Sequence, residues 1–240
     1  MLDLAWDREN INFSIAVLWG VVGFASYYFL SKAEIPARSL SNRLRSDIRV
    51  IRVVIQRFWG LLFTGIISAL IVLSVFKGSL ADFGLGSGFE QLPPWWSYLI
   101  LPLIIVSGYF SSSSPGNLKL YPQIRIETWT PCVVTISAVS WILFLVAYEF
   151  LFRGFLLVAS LMVMGPWSAT ALNAALYSFA HFYKGPGETY GAIPLGILLC
   201  YLTLVTGNIW SAVVIHSVMA LSNEWFSIIA HPEMQIRKGK

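Results

Sequence analysis

The chain has 240 residues, 57% of them apolar and only 12% charged, with a net charge of +4 and a mean hydropathy of +0.70. Soluble globular domains carry roughly 25% charged residues, so this composition excludes a soluble enzyme and predicts a polytopic membrane protein. The lipid bilayer is an expected partner; nucleic acid is not.

Crossing about 30 Å of hydrocarbon takes roughly 17 to 25 apolar residues in a helix. Runs of about that length lie at 11–31, 58–76, 95–110, 131–163, 166–183, 189–207 and 209–230. They predict an all-α integral membrane protein, a bundle of about seven transmembrane helices, or eight if the longest run divides. That run, 131–163, would make about 50 Å of helix at 1.5 Å per residue, so it must tilt, break or protrude. The chain reads as one membrane domain: N-terminal spans over 1–130, a core over 131–230 and a tail over 231–240.

The first ten residues, with Asp3, Asp7 and Glu9, are acidic where a signal peptide is basic, and no small-residue cleavage site follows the first apolar run. That run is therefore expected to be an anchor. Between the first two spans, Lys32, Arg38, Arg43, Arg45, Arg49, Arg52 and Arg57 face only Glu34 and Asp47. The positive-inside rule makes this segment, about 32–57, cytoplasmic. Seven spans then put the tail, with Arg237, Lys238 and Lys240, on the same side. The localisation this predicts is a bacterial cytoplasmic membrane. Leu40, Leu44, Ile48, Ile51 and Ile55 recur at helical spacing with Arg45, Arg49 and Arg52 on another side, which reads as a basic amphipathic helix on the leaflet.

Lys77 to Gly88, rich in glycine, reads as turn punctuation, and Pro93-Pro94-Trp95-Trp96 as an interfacial anchor. Residues 111–130 are a polar connection. Cys132 and Cys200 fall in apolar runs, where a thiol is a small hydrophobe rather than half of a disulfide.

The chemistry is concentrated in the second half. From Pro131 to His181 the only Asp, Glu, Lys, Arg or His side chains are Glu149, Arg153 and His181. A charge at mid-bilayer costs roughly 2.5 to 3.5 kcal/mol even on insertion scales. Four residues apart on a helix, Glu149 and Arg153 share a face and can neutralise each other. Tyr177 precedes His181 by the same interval, and a third span carries His216, with Asn223 two turns on and Glu224 beside it.

Each feature has a bland reading: a helix-bridging ion pair, a histidine bonded to a backbone carbonyl, a wet helix end. Together they supply the parts for peptide hydrolysis: a base for water, oxyanion donors and a water-admitting cavity. Glu149 can take the proton with Arg153 holding it, while His181 and His216 bind water or the oxyanion. A Glu149, His181, His216 set is equally a zinc triad with one open position. The sequence leaves metal-bound and metal-free alternatives open. A third alternative is a transporter component in which Glu149 and the histidines relay protons, but the inverted repeats of such proteins are not evident.

At these residues the chain resembles the CAAX protease and bacteriocin-processing (Abi) family of intramembrane endopeptidases. That family carries Glu-Glu-x-x-x-Arg on one span, Phe-x-x-x-His on a second and His-x-x-x-Asn on a third. Here the three read Tyr148-Glu149-Phe150-Leu151-Phe152-Arg153, Tyr177-Ser178-Phe179-Ala180-His181 and His216-Ser217-Val218-Met219-Ala220, the last preceded by Gly207-Asn208-Ile209-Trp210. The resemblance spans roughly Pro131 to Phe226. It implies an endopeptidase acting on a membrane-associated protein or peptide, with Glu149, Arg153, His181 and His216 in the site.

Two departures stand out. Tyr148 takes the place of the first glutamate, the family's water-activating base, and Ala220 that of the asparagine assigned to the oxyanion site. Glu149 as substitute base and Asn223 as substitute amide would restore activity. A pseudo-protease that binds a peptide or partner membrane protein, as in bacteriocin immunity, is the alternative.

Overall fold

The computed structural model describes residues 7–88 and 91–237. Asp3 of the acidic N-terminus and Lys238 and Lys240 of the basic tail lie outside the described residues. The described residues are all-α apart from one two-residue strand pair. The helices are α1 (Arg8–Leu30), α2 (Glu34–Leu44), α3 (Ile48–Phe76), α4 (Trp95–Ser111), α5 (Pro115–Leu120), α6 (Pro131–Leu161), α7 (Pro166–Phe179), α8 (Pro186–Thr206) and α9 (Trp210–Ala230). The strands are β1 (Thr128–Trp129) and β2 (Gln235–Ile236), paired in parallel.

Five helices, α1, α3, α6, α8 and α9, are long and apolar enough to cross a bilayer. The two other expected spans are shorter helices, α4 with 17 residues and α7 with 14. All seven expected segments are thus helical, in an integral membrane protein. The 31-residue α6 does not divide. Within it lies a stretch of wider π turns over Phe150–Leu156.

The basic segment is organised differently from one amphipathic helix. Arg45 adopts a left-handed conformation (φ 51°) that ends α2. Asp47 then caps α3, its side chain accepting the Arg49 backbone N–H at 2.8 Å. Leu40 and Leu44 therefore sit on one helix and Ile48, Ile51 and Ile55 on the next. Arg57, counted with the loop, is only 3% exposed and lies within α3.

The chain forms two compact units. The first comprises Met1–Tyr27, Leu62–Pro93 and Val146–Ala212; the second comprises Tyr28–Leu61, Pro94–Leu145 and Val213–Lys240. In the first, Trp19 donates from Nε1 to Ser68 Oγ at 3.0 Å, and Arg8 donates to the Phe76 carbonyl at 3.0 Å, closing the C-terminal end of α3. Gly196 brings α7 against α8, since a Cβ there would lie 3.2 Å from the Tyr177 ring and 3.3 Å from the Ala174 backbone.

The glycine-rich turn after α3 is also fixed. Gly84 takes φ +86°, and its carbonyl accepts the Ile209 N–H at 3.0 Å. Trp210 Nε1 donates to the Gly86 carbonyl and Asn208 Nδ2 to that of Gly88, both at 2.8 Å.

In the second unit Val50, Val53, Ile124, Ile126, Trp129 and Ile228 form an apolar core. The strand pair lies beside it, joining the segment before α6 to the segment after α9.

Candidate active site

Phe150–Leu156 is an enclosed stretch of the first unit: all seven residues are buried. In π turns each N–H reaches one residue further back than in an α-helix, and such stretches recur at functional sites. The Leu157 N–H accordingly reaches the Phe152 carbonyl. That carbonyl also accepts Asn173 Nδ2 from α7, and Asn173 Oδ1 in turn accepts the Cys200 thiol of α8 at 3.2 Å. Asn173 is fully buried and ties three helices at the widened turn. The sequence reading missed it, although it stands four residues before Tyr177 and eight before His181, on the same stripe.

Glu149 and Arg153 are both 0% exposed, with Arg153 Nη1 3.2 Å from Glu149 Oε2. The Arg153 guanidinium also lies 4.1 Å above the Tyr177 ring centroid, a cation–π contact that strengthens when desolvated. Gly154 follows because backbone passes there: an added Cβ would come within 2.4 Å of the Phe83 carbonyl oxygen. The turn after α3 therefore covers the Arg153 turn directly.

His181, 7% exposed, follows the C-terminus of α7. Its Nδ1 is 2.9 Å from the Tyr177 carbonyl. A carbonyl can only accept, so Nδ1 carries a proton, and in the neutral imidazole Nε2 then keeps the lone pair. The imidazole packs against Tyr177 (centroids 4.6 Å) and edge-on to Tyr148 (6.2 Å).

Tyr148 is 5% exposed, and its ring meets Phe24, Phe152, Tyr177 and His181. An aromatic cluster thus fills the surroundings of the position where the resemblance places a carboxylate.

The structure gathers Tyr148, Glu149, Arg153, Tyr177 and His181 in the first unit. His216 and Asn223 belong to α9 of the second unit. His216 is 7% exposed. Asn223 donates from Nδ2 to Asn117 Oδ1 at 3.0 Å, so its amide already serves the 111–117 connection. Ala220 packs in an apolar cluster with Tyr121, Trp141 and Leu145. Glu224 does point elsewhere, toward Arg57 (3.9 Å). Among the described residues no three His, Cys, Asp or Glu side chains are grouped to hold a metal ion.

Residues 125–222 match the family model of the type II CAAX prenyl endopeptidases, Rce1-like. Over this segment the chain is similar to the Rce1-like family. No solved structure matches the chain. The Rce1-like segment contains the whole first-unit cluster and His216, and stops short of Asn223 and Glu224. That family is one of proteases, and this chain is an integral membrane protein.

Proposed function

We propose that this chain is an intramembrane endopeptidase that hydrolyses a peptide bond of a membrane-associated protein or peptide, with Glu149 as the base. The observation that carries this reading is the fully buried Glu149–Arg153 pair beside an oriented His181. Two charges are retained where lipid and protein penalise them, on the span and at the spacing the family uses.

In this reading Glu149 removes a proton from water, and the oxygen attacks the scissile carbonyl carbon. His181 directs the water through the Nε2 lone pair. The proton on Glu149 passes to the departing amine as the tetrahedral intermediate collapses, giving a carboxylic acid and an amine and restoring the base, and the acid then loses its proton to solvent. Arg153 holds the carboxylate in position and offsets its charge when ionised. His216 enters through its motif alone, as oxyanion donor. Asn223 gives one amide N–H to Asn117 and has a second to support that role.

A second reading, a pseudo-protease that retains a binding site for a peptide or partner membrane protein, is favoured by two observations. Tyr148 is built into an aromatic cluster, and Ala220 into an apolar one. Purified protein in lipid nanodiscs, given a fluorogenic prenylated CAAX peptide, separates the two. The endopeptidase reading expects cleavage that Glu149→Gln reduces by two orders of magnitude or more. No cleavage by the wild type, with cleavage gained by Tyr148→Glu, establishes the pseudo-protease instead.

A further inference from the structure

The second unit holds a buried charge cluster that the endopeptidase reading does not use. Arg57 of α3 is 3% exposed and Glu224 of α9 is 1% exposed. Arg57 Nη1 donates to the Ser137 carbonyl at 2.7 Å, to Ser137 Oγ at 3.2 Å and to Ser140 Oγ at 3.0 Å, all on α6. Its Nη2 donates to Gln123 Oε1 at 3.0 Å, and the guanidinium lies over Trp141 at 4.5 Å. Glu224 Oε2 accepts the Gln123 backbone N–H at 3.0 Å, while Oε1 faces the Ser137 hydroxyl at 3.4 Å and Arg57 at 3.9 Å. Both carboxylate oxygens are engaged, from three chain segments.

Apolar helices in lipid have little to fix their rotation or height, because acyl chains are as apolar as leucine. A carboxylate bonded on both oxygens fixes both. On α9 this anchor is reinforced one residue earlier, where Asn223 meets Asn117, whose Nδ2 donates to Ser227 Oγ at 2.8 Å. His216 lies eight residues before Glu224 on the same helix, about 12 Å along its axis. Polar contacts thus fix the C-terminal half of α9, as the Trp210 Nε1 hydrogen bond to the Gly86 carbonyl fixes its first residue, and His216 lies between these two anchors. Arg57 and Glu224 both lie outside the matched 125–222 segment.

We propose that the Arg57–Glu224 cluster locks the register of α9, making Arg57 and Glu224 positioning residues for His216. This rests on the role given to His216 above. A merely stabilising ion pair can be exchanged for apolar residues of similar volume with little loss. The paired variant Arg57→Met/Glu224→Leu therefore removes the lock while sparing the fold.

The chain has three histidines, so imidazole ¹⁵N signals of the protein in nanodiscs are few. The expected result is a shifted or split His216 signal in the paired variant with the His181 signal retained. Turnover of the fluorogenic peptide should drop about ten- to a hundredfold, the range that a misplacement near 1 Å produces, with KM within about twofold. Should the paired variant fail to fold, Glu224→Gln carries the same test, with a smaller shift in the same direction. An unchanged His216 signal in the folded variant overturns the proposal whatever the peptidase assay shows. If His216→Ala cleaves like wild type, the catalytic role of His216 falls, while the signal still decides the register.

Discussion

Gly154 is the position where a single methyl group should do most damage. The carbon added by Gly154→Ala would stand 2.4 Å from the Phe83 carbonyl oxygen and 2.7 Å from Phe150 Cδ2. The Phe150 ring can rotate, but the Phe83 oxygen is backbone, held in a turn whose next residue is fixed by the Ile209 N–H. Overpacking of this kind costs about 1–3 kcal/mol. For a chain of this size each kcal/mol moves Tm by roughly 2–4 °C, so the expected loss is on the order of 5 °C. Gly191→Ala is the control. It lies on the exposed side of α8 with nothing within 4 Å of an added Cβ, and should leave Tm unchanged or raise it by the equivalent of ~0.4–1 kcal/mol. Tryptophan fluorescence during heating in nanodiscs reads both. A Gly154→Ala protein as stable as wild type would show that Phe83 does not press on the Arg153 turn.

Asn173→Leu preserves size but strips the Phe152 carbonyl and the Cys200 thiol of their shared partner. A loss of about 1–3 kcal/mol is expected, and an unchanged Tm counts against the tie. The hydrogen bond from the Arg49 side chain holds Asp47 below the ordinary aspartate range. A depressed value means that its contribution is complete above that ordinary range and is lost as pH falls through the lowered one. Stability should therefore decline below about pH 4. Asp47→Asn should remove that part of the decline, worth less than ~1 kcal/mol for a side chain this exposed; identical pH profiles would refute it.

The spans were legible because hydropathy is a local property: every expected apolar run proved helical. Glu149, Arg153 and His181 were legible for the opposite reason, as charges or imidazoles where apolar residues should stand. Arg57 was misplaced because it follows a run of surface arginines, and its burial depends on Ser137, Ser140, Gln123 and Glu224, all more than 60 residues away. Asn173 carries no charge and so no conspicuous penalty. Its partner, a carbonyl also held by a π turn, has no signature in the side-chain pattern. The break between α2 and α3 depends on a left-handed arginine and an aspartate cap, which the apolar spacing of Leu40 to Ile55 overrode.

The brevity of α7 bears on how the polypeptide reaches its membrane. Fourteen residues make about 21 Å of helix, short of the roughly 30 Å that insertion machinery must see filled. A histidine follows two residues past its end, so the helix offers little reason to partition on its own. Beside the Asn173 bond to the preceding helix, its hold is the close fit against the following helix at Gly196, which exists only once both have been synthesised. The two should therefore enter the bilayer as a hairpin, and a ribosome stalled between them should leave α7 accessible to aqueous probes.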